Sequence, residues 1–193
     1  MQKIQSKLKN VVLQEEDQEL INDLMSKKTQ EVAFKKLVQQ YQRPLYSHIR
    51  NIVLNHDDAD DVLQNTFIKV FQNLDKFKGD SKLFSWMYRI ATNESLTFLS
   101  NKARKNNTTS QELQSKIIDN LQADVYFDGN EIQLKLQKAI ALLPEKQQLV
   151  FRMKYFDELK YEQISDILGT SVGGLKASYH IAIKKIEFFL KSN

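Results

Sequence analysis

Apolar residues recur three and four apart through most of the chain, and this spacing constrains the fold more than any other feature. Phe34, Leu37, Val38, Tyr41, Leu45 and Ile49 form one stripe; Leu63, Phe67, Val70, Phe71 and Leu74 form a second; Val150, Met153 and Phe156 form a third. This is the period of helices that bury one face. Breakers are few, with five glycines and two prolines in 193 residues. No sustained two-residue alternation appears, and no Asn-Gly turn joins β-rich runs. The expected fold is all-α.

The pattern fails between Asn101 and Glu131. That stretch opens with "NKARKNNTTSQE", which is poor in large apolar residues, and continues through Asp119, Asp124 and Asp128 around Gly129. It reads as a flexible linker with one short helix near Leu113–Leu121. The expected organisation is a tail over 1–16, a helical domain over 17–105, a linker over 106–131 and a smaller helical domain over 132–193.

Composition removes several function classes. With no cysteine, disulfides, thiolate catalysis and Cys-ligated zinc are excluded. His48, His56 and His180 are far apart and none has a second ligand at metal-binding spacing. There is no nucleophile–base pair and no phosphate loop, so neither catalysis nor a cofactor is expected. No apolar run is long enough for a signal peptide, anchor or membrane span, which gives the expectation of a soluble, cytoplasmic protein. A formal net charge of +4 leans toward an anionic partner.

"YEQISDILGTSVGGLKASYHIAIKKIEFFL", from Tyr161 to Leu190, is the clearest motif. Ile164, Ile167 and Leu168 make one face of a short helix that Gly169 can end in the left-handed conformation. Ser171 can cap the next helix, whose buried stripe is Leu175, Tyr179, Ala182 and Ile186. A helix, a glycine-containing turn and a second helix make a helix-turn-helix. The second helix leaves Lys176, Ser178, His180, Lys184 and Lys185 outward, a set suited to phosphates and base edges. A helical hairpin with an ordinary solvated face is the alternative.

Two other segments carry signals. In "DDADDVLQNTF", Asp57 and Asp58 suit the first turn of a helix, where they cap free N–H groups and favour the dipole. Asp61 and Gln64, three apart, share an outward face. In "FKGDSKLFSWMYRIATN", from Phe77 to Asn93, four aromatic rings including the single Trp86 are threaded with Lys78, Lys82 and Arg89.

Taken in order, these segments resemble the sigma-70 family of bacterial transcription initiation factors, in its compact extracytoplasmic-function (ECF) form. "AFKKLVQQYQRPLYSHI", "DADDVLQNTFIKVF" and "FKGDSKLFSWMYRIATN" resemble region two, and "LLPEKQQLVFRMKYFDELKYEQISDILGTSVGGLKASYHIAIKKI" resembles region four. The resemblance implies a non-catalytic protein that binds core RNA polymerase, directs it to a promoter and helps open the DNA. It implies that Asp61, Gln64 and Asn65 meet the clamp helices of the largest polymerase subunit, although the family often has an acidic residue where this chain has Asn65.

Opening a duplex requires a surface that holds unstacked bases on aromatic faces and phosphates on cations. By resemblance, the loop Phe77–Leu83 and the following helix do this at the −10 element. The expected DNA contacts are Lys78, Asp80, Ser81, Lys82, Tyr88, Arg89 and Asn93. Phe84, Trp86, Met87, Ile90, Ala91 and Phe98 are assigned to the core.

For the −35 element the resemblance implies Ser171, Lys176, Ser178, His180 and Lys184. The family usually carries several arginines and a threonine there; this chain has Gly174, Ala177, Ser178, Ile181 and Ile183. Fewer phosphate contacts and a shallower salt dependence are expected, and the wider apolar face suits a partner such as the polymerase flap or an inhibitor. An anti-sigma factor is a further partner that the resemblance allows. The competing reading is a free-standing helix-turn-helix regulator whose first domain serves as sensor or dimerisation module.

Overall fold

A computed structural model describes residues 18–77, 82–119, 121 and 131–192. Every long element in it is a helix. A short α1 covers residues 18–25, followed by α2 (Gln30–Val53), α3 (His56–Gln72), a 3₁₀ turn (Leu74–Lys76) and α4 (Leu83–Lys105). Then come α5 (Ser110–Asp119), α6 (Glu131–Ala141), α7 (Glu145–Tyr155), α8 (Tyr161–Leu168) and α9 (Val172–Ser192). No strand occurs among the described residues.

The helical stripes bury the residues that the spacing selects. Leu37, Leu45 and Ile49 of α2 are fully buried, and Val38 and Phe34 lie at the edge of the same face. Pro44 sits inside α2 without ending it. Met87 and Ala91 of α4 are fully buried, and Phe84, Trp86, Ile90 and Phe98 pack half-buried against the same core. Helices α2, α3 and α4 thus pack on one another around one core. Lys69 of α3 and the half-buried Glu94 of α4 add an ion pair at 2.5 Å, which explains a carboxylate at that turn.

Two details differ from the sequence reading. The N-cap of α3 is Asn55, whose side-chain oxygen accepts from the Asp58 N–H at 2.9 Å. Asp58 instead pairs with Lys102 of α4 at 2.5 Å. Phe71 is not part of the buried stripe of α3: it is 45% exposed, at the edge of a T-shaped contact with Phe34.

The segment expected to be a flexible linker begins with a docked helix. Thr109 and Glu112 form a reciprocal capping box at the start of α5, with Glu112 Oε2 accepting from the Thr109 N–H at 2.7 Å and Thr109 Oγ1 accepting from the Glu112 N–H at 3.2 Å. Leu113 and Ile118 of α5, and Leu121 after it, are buried. Gln114 and Gln148 of α7 exchange amide hydrogen bonds at 3.3 Å. Asp124, Asp128 and Gly129 lie outside the described residues.

In the C-terminal part, α7 is buried nearly all round, from Gln148 to Met153. Gly169 closes α8 at φ +64°, and Ser171 Oγ accepts from the Gly174 N–H at 3.3 Å to start α9. Leu175, Ala182 and Ile186 of α9 are buried, with Tyr179 half-buried beside them. The helix-turn-helix therefore forms as its caps and stripes require. One hydrophobic cluster runs through both parts of the chain: Leu149, Val150, Met153, Ile164, Ile167 and Leu175 join the core built by α2, α3 and α4.

Candidate polymerase and nucleic-acid interfaces

Helix α3 presents the first candidate surface. Asp61, Gln64 and Asn65 are all exposed on it. Val62, Thr66 and Val70 hold the opposite side in the core, and the Thr66 hydroxyl donates to the Val62 carbonyl at 2.7 Å, so it needs no outside partner. The outward face does not stop at Gln64. Ile68, 53% exposed, and Phe71, 45% exposed, follow at helical spacing and extend it with apolar surface. The spacing 61, 64, 68, 71 carried this signal; it was hidden because Phe71 also fits the neighbouring buried stripe.

The aromatic and basic stretch divides differently from its expectation. Lys82, Arg89 and Asn93 are exposed. Lys78, Asp80 and Ser81 lie outside the described residues. Tyr88, expected at the DNA surface, is only 3% exposed. Its hydroxyl donates to the Pro44 carbonyl at 3.2 Å, and its ring lies 4.8 Å from that of His48 and 4.1 Å from that of Phe84. Burial, followed by the nearby Asp157 carboxylate, pushes the phenol well above its ordinary value, so it remains a neutral donor. Phe77 is likewise buried, 5.2 Å from Trp86. The rings here form a packed base under a polar, basic rim.

Arg89 has a second engagement. Its Nε donates to the Ile167 carbonyl at 3.2 Å, and its Nη2 donates to the Asp166 carbonyl. These belong to the last turn of α8, whose free carbonyls and dipole favour a cation.

On α9, Ser171, Lys176, His180 and Lys184 are exposed and Ser178 is half-buried. The Lys176 ammonium lies 5.8 Å from the Tyr161 ring, and Lys185 donates to Gln147 Oε1 at 3.3 Å. Ile181 is 45% exposed on this helix and Phe188, further on, 74%. Among the described residues, no group of three or more His, Cys, Asp or Glu could hold a metal ion, and no helix is long and apolar enough to cross a membrane.

An all-helical arrangement of the described residues that ends in a helix-turn-helix suits a DNA-binding protein. Residues 37–105 match the family model for sigma-70 region 2, and residues 133–186 match that for sigma-70 region 4. The chain belongs to the sigma-70 family and is an ECF sigma factor, a factor of transcription initiation rather than a free-standing regulator.

Among curated relatives, the ECF RNA polymerase sigma factor SigW of Bacillus subtilis is 30% identical over 162 residues, covering 80% of this chain and 87% of the relative. The RNA polymerase sigma-H factor of Pseudomonas aeruginosa is 28% identical over 185 residues, covering 92% and 95%. Among solved structures, CnrH in complex with the cytosolic domain of CnrY is similar with a TM-score of 0.65 at 18% identity, covering 92% of this chain and 98% of that one. The sigma factor RpoE in complex with the anti-sigma factor NepR, from Bartonella quintana, is similar with a TM-score of 0.60 at 20% identity, covering 82% and 96%.

Proposed function

We propose that α3 is the polymerase-docking helix of this sigma factor, with Asp61, Gln64 and Asn65 meeting the clamp helices of the largest subunit and Ile68 and Phe71 extending that interface as apolar anchors. The observation that carries this reading is one outward face that joins a carboxylate, two amides and two exposed apolar side chains. Such a mixture fits a protein interface with a desolvated anchor and a polar rim.

The domain over 17–105 then serves the −10 element. Lys82, Arg89 and Asn93 act with Lys78, Asp80 and Ser81 in the preceding loop, and Tyr88 supports the rim from beneath. The domain over 132–193 serves the −35 element through Ser171, Lys176, Ser178, His180 and Lys184, with residues 106–131 joining the two. Ile181 and Phe188 offer apolar surface to the polymerase flap or to an anti-sigma factor; both similar solved structures are complexes with a second protein chain. Work at the polymerase places the chain in the cytoplasm.

The test is co-elution of the full chain with core RNA polymerase. Asp61→Arg/Gln64→Ala and, separately, Phe71→Ala should each weaken binding by about 30-fold or more, since a central anchor is worth roughly 2 kcal/mol. Undiminished binding of folded Asp61→Arg/Gln64→Ala would overturn the assignment of α3.

A further inference from the structure

We infer that a cavity between α2, α6 and α7 is a binding site for a small amphipathic carboxylate, with Gln137 as the group that receives the anion and Arg152 as the residue that positions Gln137. Neither residue belongs to the polymerase or DNA surfaces proposed above.

The cavity measures about 300 Å³, within the range of sites that take small organic molecules. Its lining comes from the end of α2, from α6, from the end of α7 and from Leu121 after α5. The walls are of two kinds. Leu54, Leu121, Leu136 and Phe156 give an apolar side, and Arg50, Asn51, Gln133 and Gln137 a polar one. Leu54 and Leu121 are buried, Leu136 and Phe156 half-buried. Such a division suits a guest with an apolar body and one polar end.

The nature of that polar end is set by what lies behind the wall. Arg152 Nη1 donates to Gln137 Oε1 at 3.1 Å, and both residues are buried. Holding the oxygen fixes the amide, so the Nε2 end of Gln137 is left to serve the cavity, and a donor selects an acceptor. An amide polarised by a guanidinium donates more strongly, which favours an anion over a neutral acceptor. The local charge has the same sign. Arg50 lines the cavity, and Arg152 stands one hydrogen bond behind it. Asp157 attracts the Arg152 guanidinium, but its oxygens accept from His48 Nδ1 at 2.6 Å and from Asn51 Nδ2 at 3.2 Å. Arg152 Nη2 stays buried without a hydrogen-bond partner. An orphaned donor of this kind calls for an explanation. A guest carboxylate supplies one, since its charge is attracted to the guanidinium through a wall of low dielectric.

The test uses the full-length chain with octanoate, octan-1-ol and acetate as probes. Isothermal titration calorimetry should show octanoate binding about 10-fold or more tighter than octanol, the gain of a hydrogen bond to a charged group over a neutral one. Acetate, which lacks the apolar body, should show no saturable binding. Isotope-filtered NOEs should run from the octanoate chain to the methyl groups of Leu54 and Leu136. Arg152→Met/Gln137→Leu removes donor and acceptor together; it should bring octanoate down to the affinity of octanol, with octanol itself unchanged within about 2-fold. Leu136→Trp, which fills the cavity from α6, should remove both and decides the matter if the double variant fails to fold. No saturable octanoate binding by the wild type overturns the site, as does retained binding in folded Leu136→Trp. NOEs to Phe188 or Ile181 alone, the exposed apolar side chains of α9, overturn it as well. A preference for octanoate that survives in the folded double variant overturns the roles of Gln137 and Arg152.

Discussion

Arg152 tests how this core treats charge. It lies in the last turn of α7, is 2% exposed, and donates from Nη1 to Gln137 Oε1 at 3.1 Å. Its Nη2 is buried without a hydrogen-bond partner. Burial pushes the guanidinium well down from its ordinary value, to about 10, partly offset by attraction to Asp157. A drop of that size disfavours the charged form by roughly 3 kcal/mol. Replacing Arg152 by Met keeps a long, flexible side chain of suitable length and removes both the buried charge and the orphaned donor. It also leaves Gln137 Oε1 without its charged donor, at a cost of about 1–3 kcal/mol. The balance for Arg152→Met is an unfolding free energy unchanged or raised by up to about 2 kcal/mol. The double variant Arg152→Met/Gln137→Leu, which removes donor and acceptor together, should add roughly 1 kcal/mol more. Urea unfolding followed by far-UV circular dichroism measures this, provided the slope m stays constant. A loss exceeding about 2 kcal/mol in Arg152→Met at constant m would refute the reasoning, because the cation would then be a net stabiliser.

Further outcomes follow from local geometry. Glu112 has its carboxyl held below the ordinary 4.5, first by the Thr109 backbone N–H and then by its side chain. Its capping contribution is therefore present above that ordinary value and lost as pH falls through the lowered one. Hydrogen exchange should show α5 fraying in Glu112→Ala at neutral pH and in the wild type only under acid; equal protection of α5 in both at neutral pH would refute the cap. Lys184→Ala should weaken binding of the polymerase holoenzyme to −35 duplex DNA uniformly across sequences and lower the magnitude of the log–log salt slope by about 1; an unchanged slope removes Lys184 from the phosphate contacts.

Much of this architecture was legible in the sequence, for local reasons. A buried helical stripe repeats within a few residues, so Leu37, Leu45 and Ile49 announce themselves, as do Leu175, Ala182 and Ile186. A helix-turn-helix needs a left-handed stop and a cap, and Gly169 and Ser171 supply both within three positions. What was illegible depended on distant partners. Tyr88 stands among cations in the chain, but its burial is decided by His48 and Pro44 of α2. Arg152 looks like a surface residue of a short helix until α6 and Gln137 cover it. Phe71 lies where two helical stripes overlap, and only packing against Phe34 sets how much of its ring stays outside.

The seam between the two parts of the chain divides its work between apolar and polar side chains. Leu149, Met153, Ile164 and Ile167 join the core of α2, α3 and α4, and this apolar burial drives closure without specifying a partner geometry. His48, Asn51, Arg89 and Asp157 supply the geometry. Each of these groups is hydrogen-bonded in the seam and would be hydrated in the unfolded chain, so their net contribution is small compared with the strength of the contacts themselves. The polar cluster therefore fixes one register of the seam, while the apolar burial beside it supplies most of the free energy.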